Sequence, residues 1–165
     1  MGNQNDKASK SELSHISESG DAEMVDVSGK QVTSRKATAS GKVVLPRAVF
    51  DEITTNDLVS KKGSIVQTAV IAGIQAAKKT SELIPLCHQL PISKIDIDIK
   101  PVEPELHIRC TVKCSAQTGV EMEALTGVST AALTIYDMCK AMSHDIRITD
   151  IQLEHKSGGK TDFSR

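Results

Sequence analysis

The sequence predicts an α+β domain of the ferredoxin-like, split βαβ kind, an antiparallel sheet with helices on one face. Three observations carry this. Two stretches around a Pro-rich turn alternate apolar and polar residues, as strands with one wet face do. Two longer stretches, 64–77 and 124–136, hold no charged residue and read as largely buried helices. The segments also follow in the order strand, helices, strand, strand, helix, strand.

The chain has 165 residues, enough for one domain with a real core. Residues 1–22 are rich in Ser, Glu, Asp and Lys and are expected as a flexible tail. A single catalytic domain is expected over 23–160, beginning near Met24-Val25-Asp26-Val27, with a short C-terminal tail at 161–165.

Residues 32–44 read as a strand, with Arg35, Ala37, Ala39, Gly41 and Val43 on one face. Those side chains are mostly small, so another element packs closely there. Pro46 suits the first helical position of a short helix over 47–54, and 55–62 reads as a loop. Ser64 is a helix cap for 65–81. Lys61 and Lys62 stand just before that helix, where its dipole disfavours cations. They read either as solvated lysines or as an anion site with the free backbone N–H groups.

Residues 83–91 form a tight segment bracketed by prolines, with Cys87 and His88 side by side. The hairpin follows: Ile95, Ile97 and Ile99 alternate with charges, the chain turns over 101–105, and Leu106, Ile108, Cys110, Val112 and Cys114 point inward. Cys110 and Cys114 share one strand face, which reads as core packing rather than zinc ligation. Thr118 and Glu121 fit a capping box at the start of a helix spanning 119–140. Residues 145–155 make the last strand, and Lys156-Ser157-Gly158-Gly159-Lys160 is a Gly-rich basic turn. Its Gly-Gly-Lys-Thr is no P-loop, because Glu154 stands where that motif needs glycine.

Several function classes are disfavoured. Net charge is −1, and aromatics are 2 % with no Trp. A nucleic-acid partner is therefore not expected, lacking both a basic field and stacking platforms. No apolar run approaches the ~20 residues of a membrane span. Four cysteines in a chain of this size read as reduced thiols in a cytoplasmic protein.

Acid–base chemistry is concentrated in the 119–140 helix. Glu121 has a capping explanation, whereas Glu123, with apolar neighbours, reads as a substrate contact. Asp137 and Lys140 read as either an end-of-helix ion pair or a proton-transfer pair in a dry site. Glu123 and Asp137 stand roughly 21 Å apart along the helix at ~1.5 Å per residue. One chain cannot bring both to the same atom, so either the ligand is long or another subunit completes each pocket. The apolar helical surface exceeds what one sheet can cover, which predicts an oligomer.

Pro85-Leu86-Cys87-His88, Gly119-Val120-Glu121-Met122-Glu123-Ala124-Leu125, Tyr136-Asp137-Met138-Cys139-Lys140 and the Lys156–Lys160 turn closely resemble the MoaC-type cyclic pyranopterin monophosphate synthases. The likeness runs from about residue 22 to 160. It implies conversion of 3′,8-cyclo-7,8-dihydroguanosine 5′-triphosphate to cyclic pyranopterin monophosphate and pyrophosphate, a lyase step of molybdenum-cofactor biosynthesis. By resemblance, Asp137, Lys140 and Lys62 are catalytic. Leu86, Cys87, His88, Met122 and Glu123 contact substrate, and Arg35, Lys156 and Glu121 line the pocket. The resemblance implies no metal site and no required cofactor, and leaves open whether Mg²⁺ accompanies the triphosphate. It also implies a homohexamer built as a trimer of dimers, with active sites at subunit interfaces. Gln89 departs from the family's usual proline after Cys-His.

Overall fold

A computed structural model describes residues 20–165, so most of the expected N-terminal tail lies outside the described residues. The order is β1 (Thr33–Val44), α1 (Arg47–Thr55), β2 (Val59–Ser60), β3 (Gly63–Ser64), α2 (Ile65–Lys78), α3 (Thr80–Leu83), β4 (Ile92–Val102), β5 (Glu105–Ala116), α4 (Glu121–Cys139), β6 (Arg147–Ser157) and β7 (Phe163–Ser164).

The main sheet runs β4-β5-β1-β6-β7. All its pairings are antiparallel. Each pair of strands joined through helices, β1 with β4 and β5 with β6, is split by one strand of the other pair. Helices α2 and α4 pack on each other and on one face of this sheet. Alternation explains the face. In β5, Leu106, Ile108, Cys110, Val112 and Cys114 are buried, while Arg109 and Lys113 are exposed. Ala37, Ala39 and Val43 of β1 join them under α4, which contributes Ala124, Val128, Ala131, Ala132 and Ile135.

The small residues have a specific use. At Gly41, an added Cβ would lie 2.7 Å from Val128 of α4. Where α2 crosses α4, glycine faces glycine: a Cβ on Gly73 would lie 2.8 Å from the Gly127 carbonyl oxygen and 2.6 Å from Ile97 Cδ1. Backbone oxygen cannot rotate aside. Gly73→Ala is therefore expected to destabilise the fold by about 1–3 kcal/mol through overpacking, read as a lowered urea midpoint.

Several element boundaries differ from the sequence reading. Pro46 is the cap residue of α1, not its first helical residue. The expected loop at 55–62 carries a small hairpin, β2–β3. The second helix stops at Lys78 and a short turn of helix follows. Ser64 does cap α2, accepting from the Gln67 N–H at 3.3 Å. The expected C-terminal tail instead contributes β7, which pairs with His155 and Lys156.

Candidate active site

The site residues fall into two groups at opposite ends of α4. The first group surrounds the start of the helix. Leu86, Cys87, His88, Met122 and Glu123 line one cavity of about 270 Å³. The Pro-bracketed segment places its part of that wall, held by the Cys87 N–H donating to Ile84 O at 3.0 Å. Residues 24–30 supply the facing wall through Val25, Val27 and Lys30. Sequence reasoning treated this arm only as the start of order. Its alternating valines were the available signal.

Beside it lies a second cavity of about 430 Å³, which shares Lys30, Thr118, Gly119 and Glu121 with the first. Its cations are Lys30, Arg35, Lys36, Lys156 and Lys160, and Glu121 is the acid among its lining residues. The Gly-rich turn reaches the cavity because Gly158 has φ +86 and sits against Ser34 O, where a Cβ would collide. Thr33 Oγ1 donates to the Gly158 carbonyl at 2.7 Å, and the Gly158 N–H donates to Asp162 Oδ1 at 3.1 Å. Arg35 is part lining and part clamp, since its guanidinium donates to the carbonyls of Ala116 (3.2 Å) and Gln117 (3.1 Å).

Glu121 corrects an expectation. The capping box with Thr118 does not form: α4 begins at Glu121, its cap residue is Val120, and no side chain caps it. Valine has no acceptor, and Thr118 lies too far upstream. Glu121 instead pairs with Lys156 at 3.2 Å. Glu123 is buried, 4 % exposed. Burial, helped by the nearby Glu121 charge, pushes its carboxyl up to about 7. Burial, with Glu123 nearby, also raises the Cys87 thiol.

The second group is a three-residue cluster at the far end of α4. Lys140 Nζ lies 2.6 Å from Asp137 Oδ1, and Lys62 Nζ lies 3.2 Å from Oδ2. Lys62 also donates to the Asp137 backbone carbonyl at 3.0 Å. Hydrogen bonds from Lys140 and then Lys62 hold the Asp137 carboxyl below the usual carboxylate range, and Asp137 raises Lys140 in turn. The sequence suggested a dry setting for this pair. In the single chain all three side chains are about half exposed. Lack of charge along a helix is not burial: Ile135, Met138 and Cys139 face the sheet, while Leu133, Asp137 and Lys140 face outward. A cavity of about 790 Å³ opens beside the cluster, lined by Lys62, Val59, Ile53, Met138 and Met142 among others.

Cys110, Cys114 and Cys139 are core residues. Burial pushes Cys110 up to about 12 and Cys139 to about 11, so both are inert as nucleophiles at neutral pH. Among the described residues, no group of three His, Cys, Asp or Glu side chains is placed to hold a metal ion. No helix among them is long and apolar enough to cross a membrane.

A half-apolar cavity opening into a basic one, with a lysine–aspartate–lysine cluster on the same helix, defines an enzyme that moves protons on an anionic substrate. The comparisons with known proteins agree. A model of the MoaC family matches residues 24–159, and the chain belongs to that family. It is similar to a cyclic pyranopterin monophosphate synthase of Xanthomonas oryzae pv. oryzae, 54 % identical over 158 residues, covering 95 % of this chain and 96 % of the relative. A protein of the same name from Campylobacter jejuni subsp. doylei is 54 % identical over 151 residues, covering 90 % and 95 %.

Proposed function

We propose that this chain is a cyclic pyranopterin monophosphate synthase of molybdenum-cofactor biosynthesis. Its reaction converts 3′,8-cyclo-7,8-dihydroguanosine 5′-triphosphate to cyclic pyranopterin monophosphate and pyrophosphate. The observation that carries this is near-complete coverage at 54 % identity to a protein of that name. The two residue groups on α4 fit the chemistry required.

The rearrangement needs acids and bases at several steps. Lys62 and Lys140 are ammonium donors held on one carboxylate, and Asp137 is ionised at neutral pH and accepts what they regain. Glu123 and His88 hold the substrate, with Leu86, Cys87 and Met122 against its rings. Arg35 and Lys156 face the phosphates, where cations offset the charge of departing pyrophosphate. No cofactor is required in this reading, and any Mg²⁺ arrives with the triphosphate.

The assembly is read as a hexamer, a trimer of dimers. Ile71 on α2 and Leu133 on α4 are 59 % and 60 % exposed on the outer helix face, which a second copy would cover. An antiparallel α4 from that copy, centred on Thr130, sets Asp137 of one chain opposite Glu123 of the other. That pairing removes the ~21 Å separation along one helix. A cytoplasmic setting suits the four free thiols.

The test is incubation of the purified protein with the cyclic nucleotide. Pyrophosphate and cyclic pyranopterin monophosphate should appear together, and light scattering should give six chains. No conversion under conditions in which the Xanthomonas relative turns over would refute the assignment.

A further inference from the structure

The arm at residues 24–30 carries a cation that no residue assignment above uses. Lys30 lines both the half-apolar cavity and the basic one, at the junction they share. Its position is fixed by backbone contacts rather than by its side chain. The Lys30 N–H donates to Val27 O at 2.9 Å. The Ser28 N–H donates to Asp26 Oδ1 at 2.8 Å. Gln117 Nε2 then donates to Ser28 O at 3.3 Å, tying the turn to the connection that leads into α4. That connection carries Thr118 and Gly119, which border both cavities.

Two neighbouring cations are already engaged. Lys156 pairs with Glu121, and Arg35 donates to two backbone carbonyls. The Lys30 ammonium makes no ion pair among the described residues. A lysine is a compact point charge with three donors, suited to a phosphate group that must be gripped without a fixed fork.

The geometry points to Lys30 as a phosphate-positioning residue. It grips the phosphate chain where a nucleotide passes from the half-apolar cavity, which takes its base, to the basic cavity, which takes its outer phosphates. This rests on the functional reading above for the identity of the nucleotide. The phosphate contact itself does not need that identity.

The experiment compares full-length wild type, Lys30→Gln and Lys30→Arg. Inorganic tripolyphosphate binding is measured by calorimetry at low and moderate salt, and KM and kcat with the cyclic nucleotide. Lys30→Gln should weaken tripolyphosphate binding and raise KM, each about tenfold, the scale of one charge-assisted hydrogen bond. Its kcat should fall by less than that, its melting temperature should match wild type, and its salt dependence should be shallower. Lys30→Arg should recover most of the affinity. Unchanged affinity and KM in Lys30→Gln overturn the assignment, as does a wild type that binds no tripolyphosphate. If tripolyphosphate binding responds as described but the wild type does not convert the cyclic nucleotide, the functional reading fails and the assignment of Lys30 stands.

Discussion

Asp137→Asn should lower turnover of the cyclic nucleotide by about 10²–10⁴-fold, the range of a lost general acid–base group. The side chain bridges two ammonium groups, one on each carboxylate oxygen. Asparagine keeps the shape but offers one oxygen and one N–H₂ group. The N–H₂ cannot accept from a lysine, so one ammonium loses its anchor. Neither can the amide take up a proton that a lysine has given away. The change is almost purely chemical, because the side chain is half exposed and its helix is already formed. The melting temperature should therefore barely move. The pH profile adds a check. The two lysines hold Asp137 below the usual carboxylate range, so wild-type activity should not fall through that range on its account. A wild-type rate in Asp137→Asn would remove the residue from the mechanism.

Glu123→Gln should change stability, and in a pH-dependent way. Burial raises the folded-state carboxyl from 4.5 to about 7. Between those values the folded protein holds a proton that the unfolded chain has released. The stability tied to that proton is fully present below pH 4.5, is lost as pH rises towards 7, and stays lost above it. The spread is worth roughly 3 kcal/mol. Glutamine keeps the shape and never ionises, so it removes the loss. Urea unfolding of variant and wild type should nearly coincide near pH 4.5 and diverge by up to roughly 3 kcal/mol above pH 7, with the variant more stable. Parallel stability curves would show that the carboxyl is not raised. Glu123 is thus a group the fold would be more stable without, which is common where a charge is kept for a ligand.

Much of the fold was readable because it depends on neighbours in sequence. The β4–β5 hairpin follows from two-residue alternation across a turn, and the Cys110 and Cys114 thiols were correctly placed in the core by that rule alone. Ser64 announced α2 through its own side chain. The misreadings involve distant partners. Thr118 and Glu121 matched a local capping pattern, but Lys156, from another strand, drew Glu121 away. Phe163–Ser164 is too short to show periodicity and became a strand only because β6 offered an open edge. The lysine–aspartate–lysine cluster was half legible, since Asp137 and Lys140 are one turn apart. Lys62 came from family resemblance, because nothing local brings the approach to α2 beside the end of α4. Lys30 left no signal, because its place depends on a cavity built from four separate stretches of chain.

The contact between Gly73 and Gly127 has a consequence away from packing. Lys62 precedes the start of α2 and Asp137 lies in the last turn of α4, so the two helices act like the arms of a pair of tongs. The glycines are the pivot, and the ammonium and carboxylate are the tips. A methyl group at the pivot would spread the tips without altering any group that touches substrate. Anyone ranking inherited variants of this gene by distance from the reacting atoms would score Gly73→Ala as benign, when its first symptom should be loss of turnover.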